Sequence, residues 1–355
     1  MSEEGVSSSA DSRRARSFCP ASAIALAAIA LGLAGGAASG SPAAPHQGDA
    51  EFVAVVALED AGQVAVLRGP PWRVARRARV PAGPHNVVAS PDGEFVAVTS
   101  PPAGAVTLIR ARSGAVVRTI RVAGGPHDAA FSANGRTLWI AAERAALLVQ
   151  VAVPSGRVLR RVPTSGGPHD VDVSRRQLWV TIDGSSRVEV RHVSTGRLIA
   201  RPDLGGAPHD VAVAPNGETV WFSNWSSGDL TVVSLRSRRV VARFRAGDEP
   251  HHFAFGVGRL WISDNGAGSL VRANPTARRV VGGTAVGPSP HHVAVADTQI
   301  LVAVHGSGRV AVVSRRGRVV ESLAVGLGPR NRRGQRRGMT NGSCSRASPQ
   351  RVRRS

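Results

Sequence analysis

The stretch that decides the fold is residues 207–224, APHDVAVAPNGETVWFSN. Its Pro208-His209 pair recurs at Pro84-His85, Pro126-His127, Pro168-His169, Pro250-His251 and Pro290-His291, and in chain order the spacings are 42, 42, 40, 42 and 40 residues. After each pair comes a short apolar run such as Val211-Ala-Val-Ala, a turn such as Pro215-Asn216-Gly217, a second apolar run, and two further Val-rich runs. Four short strands fit each period. The second run often carries an aromatic pair, as in Leu138-Trp139, Leu178-Trp179, Val220-Trp221 and Leu260-Trp261.

A period near forty residues with four antiparallel strands defines a propeller blade, whose sheet buries both faces against its neighbours. The runs accordingly read as continuously apolar. Six blades begin at the six Pro-His pairs, and residues 51–83 supply three strands of another, so the expected fold is all-β, a seven-bladed β-propeller with four antiparallel strands per blade. The first blade lacks its inner strand unless the C-terminal segment closes the ring. At that phase Gly328-Pro329 does recur, but Arg330 stands in the His position and Asn331-Arg332-Arg333-Gly334 replaces the apolar run. Either the closing strand is polar, or the natural reading frame is lost near residue 330.

Arg13, Arg14 and Arg16 precede an uncharged run from Ala21 to Ala34, followed by small residues. That order describes a secretory signal peptide, with a short membrane anchor as the rival. The expected organisation is a signal peptide or N-terminal anchor over 1–40, a linker over 41–50, the propeller over 51–329, and a disordered Arg-rich tail over 330–355. The expected location is extracytoplasmic: secreted, periplasmic or at the cell surface.

The formal charge is +21, but nine arginines and no acid fall in residues 330–355, so much of the excess belongs to a solvated arm. The repeats lack the interleaved aromatics of a strand-binding groove, which argues against nucleic acid. Membrane contact is expected only through an uncleaved N-terminus, and the chain is expected to be a monomer. With no lysine and no tyrosine, Schiff-base chemistry and tyrosine acids are excluded. The two cysteines, Cys19 and Cys344, lie outside the repeats and support no disulfide framework.

The repeat unit resembles the YVTN-type β-propeller repeat over residues 51–329, with its Pro before the hub strand and its Pro-Asp-Gly-like turn. That resemblance implies a binding or scaffold protein. The strand ends Leu260-Trp261-Ile262-Ser263-Asp264 and Val220-Trp221-Phe222-Ser223-Asn224 are also similar to the streptogramin lyase group. That resemblance implies a metal-dependent lyase or lactonase-like enzyme at the rim of blades 6 and 7, with a hub His as base and an acid near the end of the second strand. His291 and Asp264 fill those catalytic places here.

In antiparallel strands, the start of the inner strand and the end of the second share one face. His85, His127, His169, His209, His251 and His291 are therefore expected to converge on one rim as a ligand-binding ring for a small ligand or protein partner. A plainer role is also open to each: hydrogen bonding backbone at a blade junction. After the His, blades 2 to 5 carry Asn86, Asp128, Asp170 and Asp210, whereas blades 6 and 7 carry His252 and His292. This break in symmetry selects His251, His252, Asp264, His291, His292 and His305 as the candidate cluster for a divalent metal.

Overall fold

The structure, a computed structural model, describes residues 24–29 and 52–326. Within them the chain forms seven four-stranded antiparallel sheets. In blade 5 the strands run Pro208–Val213, Thr219–Asn224, Asp229–Ser234 and Val240–Arg245, paired in sequence order, and the other blades follow the same plan. The turn chemistry explains the first hairpin of each blade. In blade 2, Gly93 adopts φ 70°, and Asp92 Oδ1 accepts both the Ser90 hydroxyl at 2.5 Å and the Glu94 N–H at 3.0 Å. A glycine tolerates that left-handed backbone where other residues strain.

The core lies between blades. Seven apolar clusters occupy the seams between adjacent sheets, one of them joining Ala54, Leu67 and Trp72 of blade 1 to Leu301 and Val312 of blade 7. Trp139, Trp179 and Trp261, all from second strands, are fully buried. The Trp139 indole N–H reaches across its seam to the Val193 carbonyl at 3.0 Å. Trp72 closes the ring in the same way, donating to Gln299 Oε1 at 2.6 Å.

Blade 1 corrects the expected closure. Its inner strand is Ile24–Ile29, which pairs antiparallel with Phe52–Leu58 from Ile24↔Leu58 to Ile29↔Val53. The strand thus comes from the N-terminal side, within the run read as an export signal, and the proposed C-terminal replacement lies outside the described residues. An uncharged Ala, Ile and Leu sequence is compatible with the inner strand of a blade as well as with a signal's apolar stretch. Removing residues 1–40 is therefore expected to expose the edge of Phe52–Leu58 and lower the melting midpoint by about 5 °C or more relative to the full chain, as read by circular dichroism. Equal midpoints would show that the ring does not use this strand.

Candidate metal centre at the channel mouth

The position of each histidine follows from a local irregularity of the inner strand. In blade 4 the ladder pairs Pro168 with Ile182 and resumes at Val171 with Val180, so His169 and Asp170 lie in a bulge; blades 5, 6 and 7 repeat this at Pro208/Val211, Pro250/Phe253 and Pro290/Val293. Bulges re-aim side chains and free backbone groups from the ladder. A hydroxyl on the second strand takes up the freed groups. Thr181 Oγ1 accepts the Asp170 N–H at 2.9 Å and donates to the His209 carbonyl of the next blade at 2.9 Å. Ser223 does the same for the Asp210 N–H and the His251 carbonyl, at 3.2 and 2.7 Å. Thr99 and Ser263 repeat the device toward His127 and His291.

Blade 3 has Ala141 at this place, and there the His127 ring itself makes the link, its Nδ1 lying 3.2 Å from the His169 carbonyl. The plainer role expected for these histidines is thus filled by His127.

The six Pro-His imidazoles form a closed annulus. Successive ring centroids are 4.8 Å apart for His85–His127, then 3.9, 4.3, 4.4 and 3.8 Å on to His291, with 6.2 Å between His291 and His85. The widest gap falls at blade 1, which contributes no Pro-His pair among the described residues. His305, just after the second strand of blade 7, stacks on His291 at 4.2 Å and 12°.

Directly below the annulus lies a second tier: Asn86, Asp128, Asp170, Asp210, His252 and His292. His252 and His292 stack at 3.9 Å and 19°. Beneath this tier a cavity of about 440 Å³ runs along the inner strands between walls such as Val88, Ala130 and Ala212, out to Pro91 and Ala133 at the turns of the opposite face.

Burial sets the charge of the imidazoles. It lowers His251, His291 and His292 well below the usual range, helped by the neighbouring imidazoles; it brings His252 to about 4, and His209 to about 3. These rings are neutral at pH 7, the form in which histidine binds metals. His169 is the exception: burial opposes its charge, but the adjacent Asp170, with Glu143 and Asp183, outweighs this and pushes it up to about 9.

Three of the expected ligands form one set, His251, His252 and His291, and His291, His292 and His305 form another; within each set the donor atoms all lie within 4.8 Å of one another. Buried Nδ1 of His251 has no hydrogen-bond partner. A relay fixes the proton on others. Asn86 Nδ2 donates to Asp128 Oδ1 at 3.2 Å, so Asn86 Oδ1 accepts from His292 Nε2–H at 2.6 Å. His292 Nδ1 then faces His291 Nδ1–H at 2.8 Å, which leaves His291 Nε2 bare for a ligand.

Asp264 does not join them. Its carboxylate accepts the N–H groups of Asp248 and Glu249 at 3.0 and 2.9 Å and closes the loop before Pro250. The carboxylate is thus engaged by loop backbone and is not gathered with the imidazoles. Two neighbours of the mouth were not selected from sequence. Asp170 is one. The other is Trp225, 37% exposed, whose ring centroid lies 5.7 Å from those of both His209 and His251. Its signal is the second Trp of WFSNW, where other blades place Glu143, Asp183 or His305 after the strand.

No family model matches the chain, and no curated protein matches it. Solved structures do. The chain superposes on a hydrazine synthase chain of Kuenenia stuttgartiensis with TM-score 0.65 at 18% identity, covering 74% of this chain and 92% of that one. A streptogramin B lyase gives TM-score 0.63 at 14% identity, with 71% and 87% covered. A Desulfotomaculum acetoxidans protein of unknown function gives 0.68 at 11%, with 76% and 94% covered. At these identities the likeness is one of fold: a seven-bladed β-propeller, an architecture shared by proteins of different function.

Ser223→Ala removes a hydroxyl that serves both sides of a seam, leaving the Asp210 N–H and the His251 carbonyl unpaired. It is expected to cost about 1–3 kcal/mol in chemical denaturation. The control Ser226→Ala, on the exposed rim, is expected to cost less than about 0.5 kcal/mol.

Proposed function

We propose that this protein is an extracytoplasmic binding module that holds a transition-metal ion on the imidazoles of blades 6 and 7 and presents it, at the channel mouth, to a small ligand or protein partner. The observation that carries the reading is the convergence of His251, His252 and His291, with donor atoms mutually within 4.8 Å on bulged, latched backbone. Their neutrality at pH 7 supports it, since no proton has to be displaced. An all-nitrogen donor set suits Zn²⁺, Cu²⁺ or Ni²⁺ rather than Mg²⁺ or Ca²⁺. His305 stacked on His291 and Trp225 beside His251 supply a polar and an aromatic edge for whatever approaches the ion. Because Ile24–Ile29 completes blade 1, the reading entails that the apolar N-terminal segment stays on the folded chain.

Metal analysis of the purified full chain after loading with Zn²⁺ or Cu²⁺ and extensive dialysis is expected to find the ion retained. The double variant His251→Ala/His291→Ala is expected to lose at least about a hundredfold in affinity by calorimetry, in line with removal of two ligands. A wild-type chain that retains neither ion after dialysis would overturn the proposal.

A further inference from the structure

The acids that follow the Pro-His histidines have a structural task, and one of them has been released from it. Asp128 Oδ2 accepts the Val171 N–H at 3.0 Å, across the seam from blade 3 to blade 4. Asp210 Oδ2 accepts the Phe253 N–H at 3.2 Å, across the seam from blade 5 to blade 6. At the intervening seam the same staple is made two residues later, by Asp172 Oδ2 to the Val213 N–H at 2.7 Å. Asp170 therefore staples nothing.

Its side chain is only 2% exposed, and neither of its carboxylate oxygens has a hydrogen-bond partner. His127 Nδ1 lies 3.4 Å and His169 Nδ1 3.3 Å from Asp170 Oδ1, both without hydrogen-bond alignment. Buried Nδ1 of His169 is likewise without a partner. A buried carboxylate without hydrogen bonds is costly unless a positive charge faces it, and a protonated His169 is the charge the chain itself supplies. A bound cation would compensate the carboxylate in its place.

We propose that His127, His169 and Asp170 form a second cation site in blades 3 and 4, chemically distinct from the imidazole site and selective for a divalent ion that accepts mixed nitrogen and oxygen donors, Fe²⁺ or Mn²⁺. The three donor atoms lie within 4.8 Å of one another. Two imidazoles and one carboxylate, with further positions open, are the donor set of non-haem Fe²⁺ sites, whereas Mn²⁺, low in the affinity order, favours sites that offer oxygen. Asp210, whose donor atom also lies within 4.8 Å of that of Asp170, stands beside it as a further oxygen donor. The site shares no ligand with His251, His252 and His291, so it succeeds or fails independently of the function proposed above.

Mn²⁺ is the probe, titrated into the full chain while the paramagnetic resonance signal of the free aquo ion is followed. About one equivalent is expected to lose its free-ion signal and to raise the melting midpoint. Asp170→Asn is expected to weaken Mn²⁺ at least tenfold while leaving Zn²⁺ retention in place, and His251→Ala/His291→Ala to leave Mn²⁺ affinity within about twofold. If Asp170→Asn does not fold, His127→Gln is expected to show the same tenfold loss. No signal loss with the wild-type chain, wild-type affinity in Asp170→Asn or His127→Gln, or loss in the His251/His291 variant would overturn the site, leaving Asp170 as the partner of a protonated His169.

Discussion

The interaction on which the rest depends is the side-chain bridge next to the axis that crosses the five seams from blade 2 round to blade 7. A sheet that buries both faces has only apolar contact to hold it to its neighbours, and apolar contact is not directional. Hydrogen bonds supply the register. Hydroxyls at 99, 181, 223 and 263 and carboxylates at 128, 172 and 210 each reach from one blade to the inner-strand backbone of the next, so the separation of adjacent imidazoles is a property of the seams. That is why the annulus can hold centroids near 4 Å without bonds from ring to ring.

The bridging is not uniform from seam to seam. Ala141 lacks the hydroxyl, and His127 makes the link itself. Asp172 makes a staple that Asp170, by position, was placed to make. In the tier below the annulus, histidines replace the acids at 252 and 292, and the seam they leave is joined through Asn86 to Asp128. Of these departures, the one at Asp172 leaves a carboxylate near the axis, that of Asp170, without a hydrogen bond.

Much of this was legible from residue order. Pro-His spacing carried the blade count, and antiparallel pairing placed all six histidines on one rim. The doubled histidines at 252 and 292 pointed to the richer side. Other parts were hidden for physical reasons. Ile24–Ile29 sits in an unpunctuated apolar run that fits the inner strand of a blade and an export segment equally, separated from its partner strand by a long connection. Asp264 looks like a rim acid until the amides of Asp248 and Glu249 are found on it. Asp128, Asp170 and Asp210 are identical by pattern, and only the seam bonds separate the one that is idle from the two that are employed.

The stacked side chains also divide the axis of the molecule. Two layers of rings and acids lie near one end, and the hollow below them reaches from Asn86, Asp128, Asp210, His252 and His292 to Pro91 and Ala133 at the turns. A molecule arriving over Trp225 and one arriving from underneath would meet opposite sides of the same two layers, the first the imidazole annulus and the second Asn86, His252 and His292.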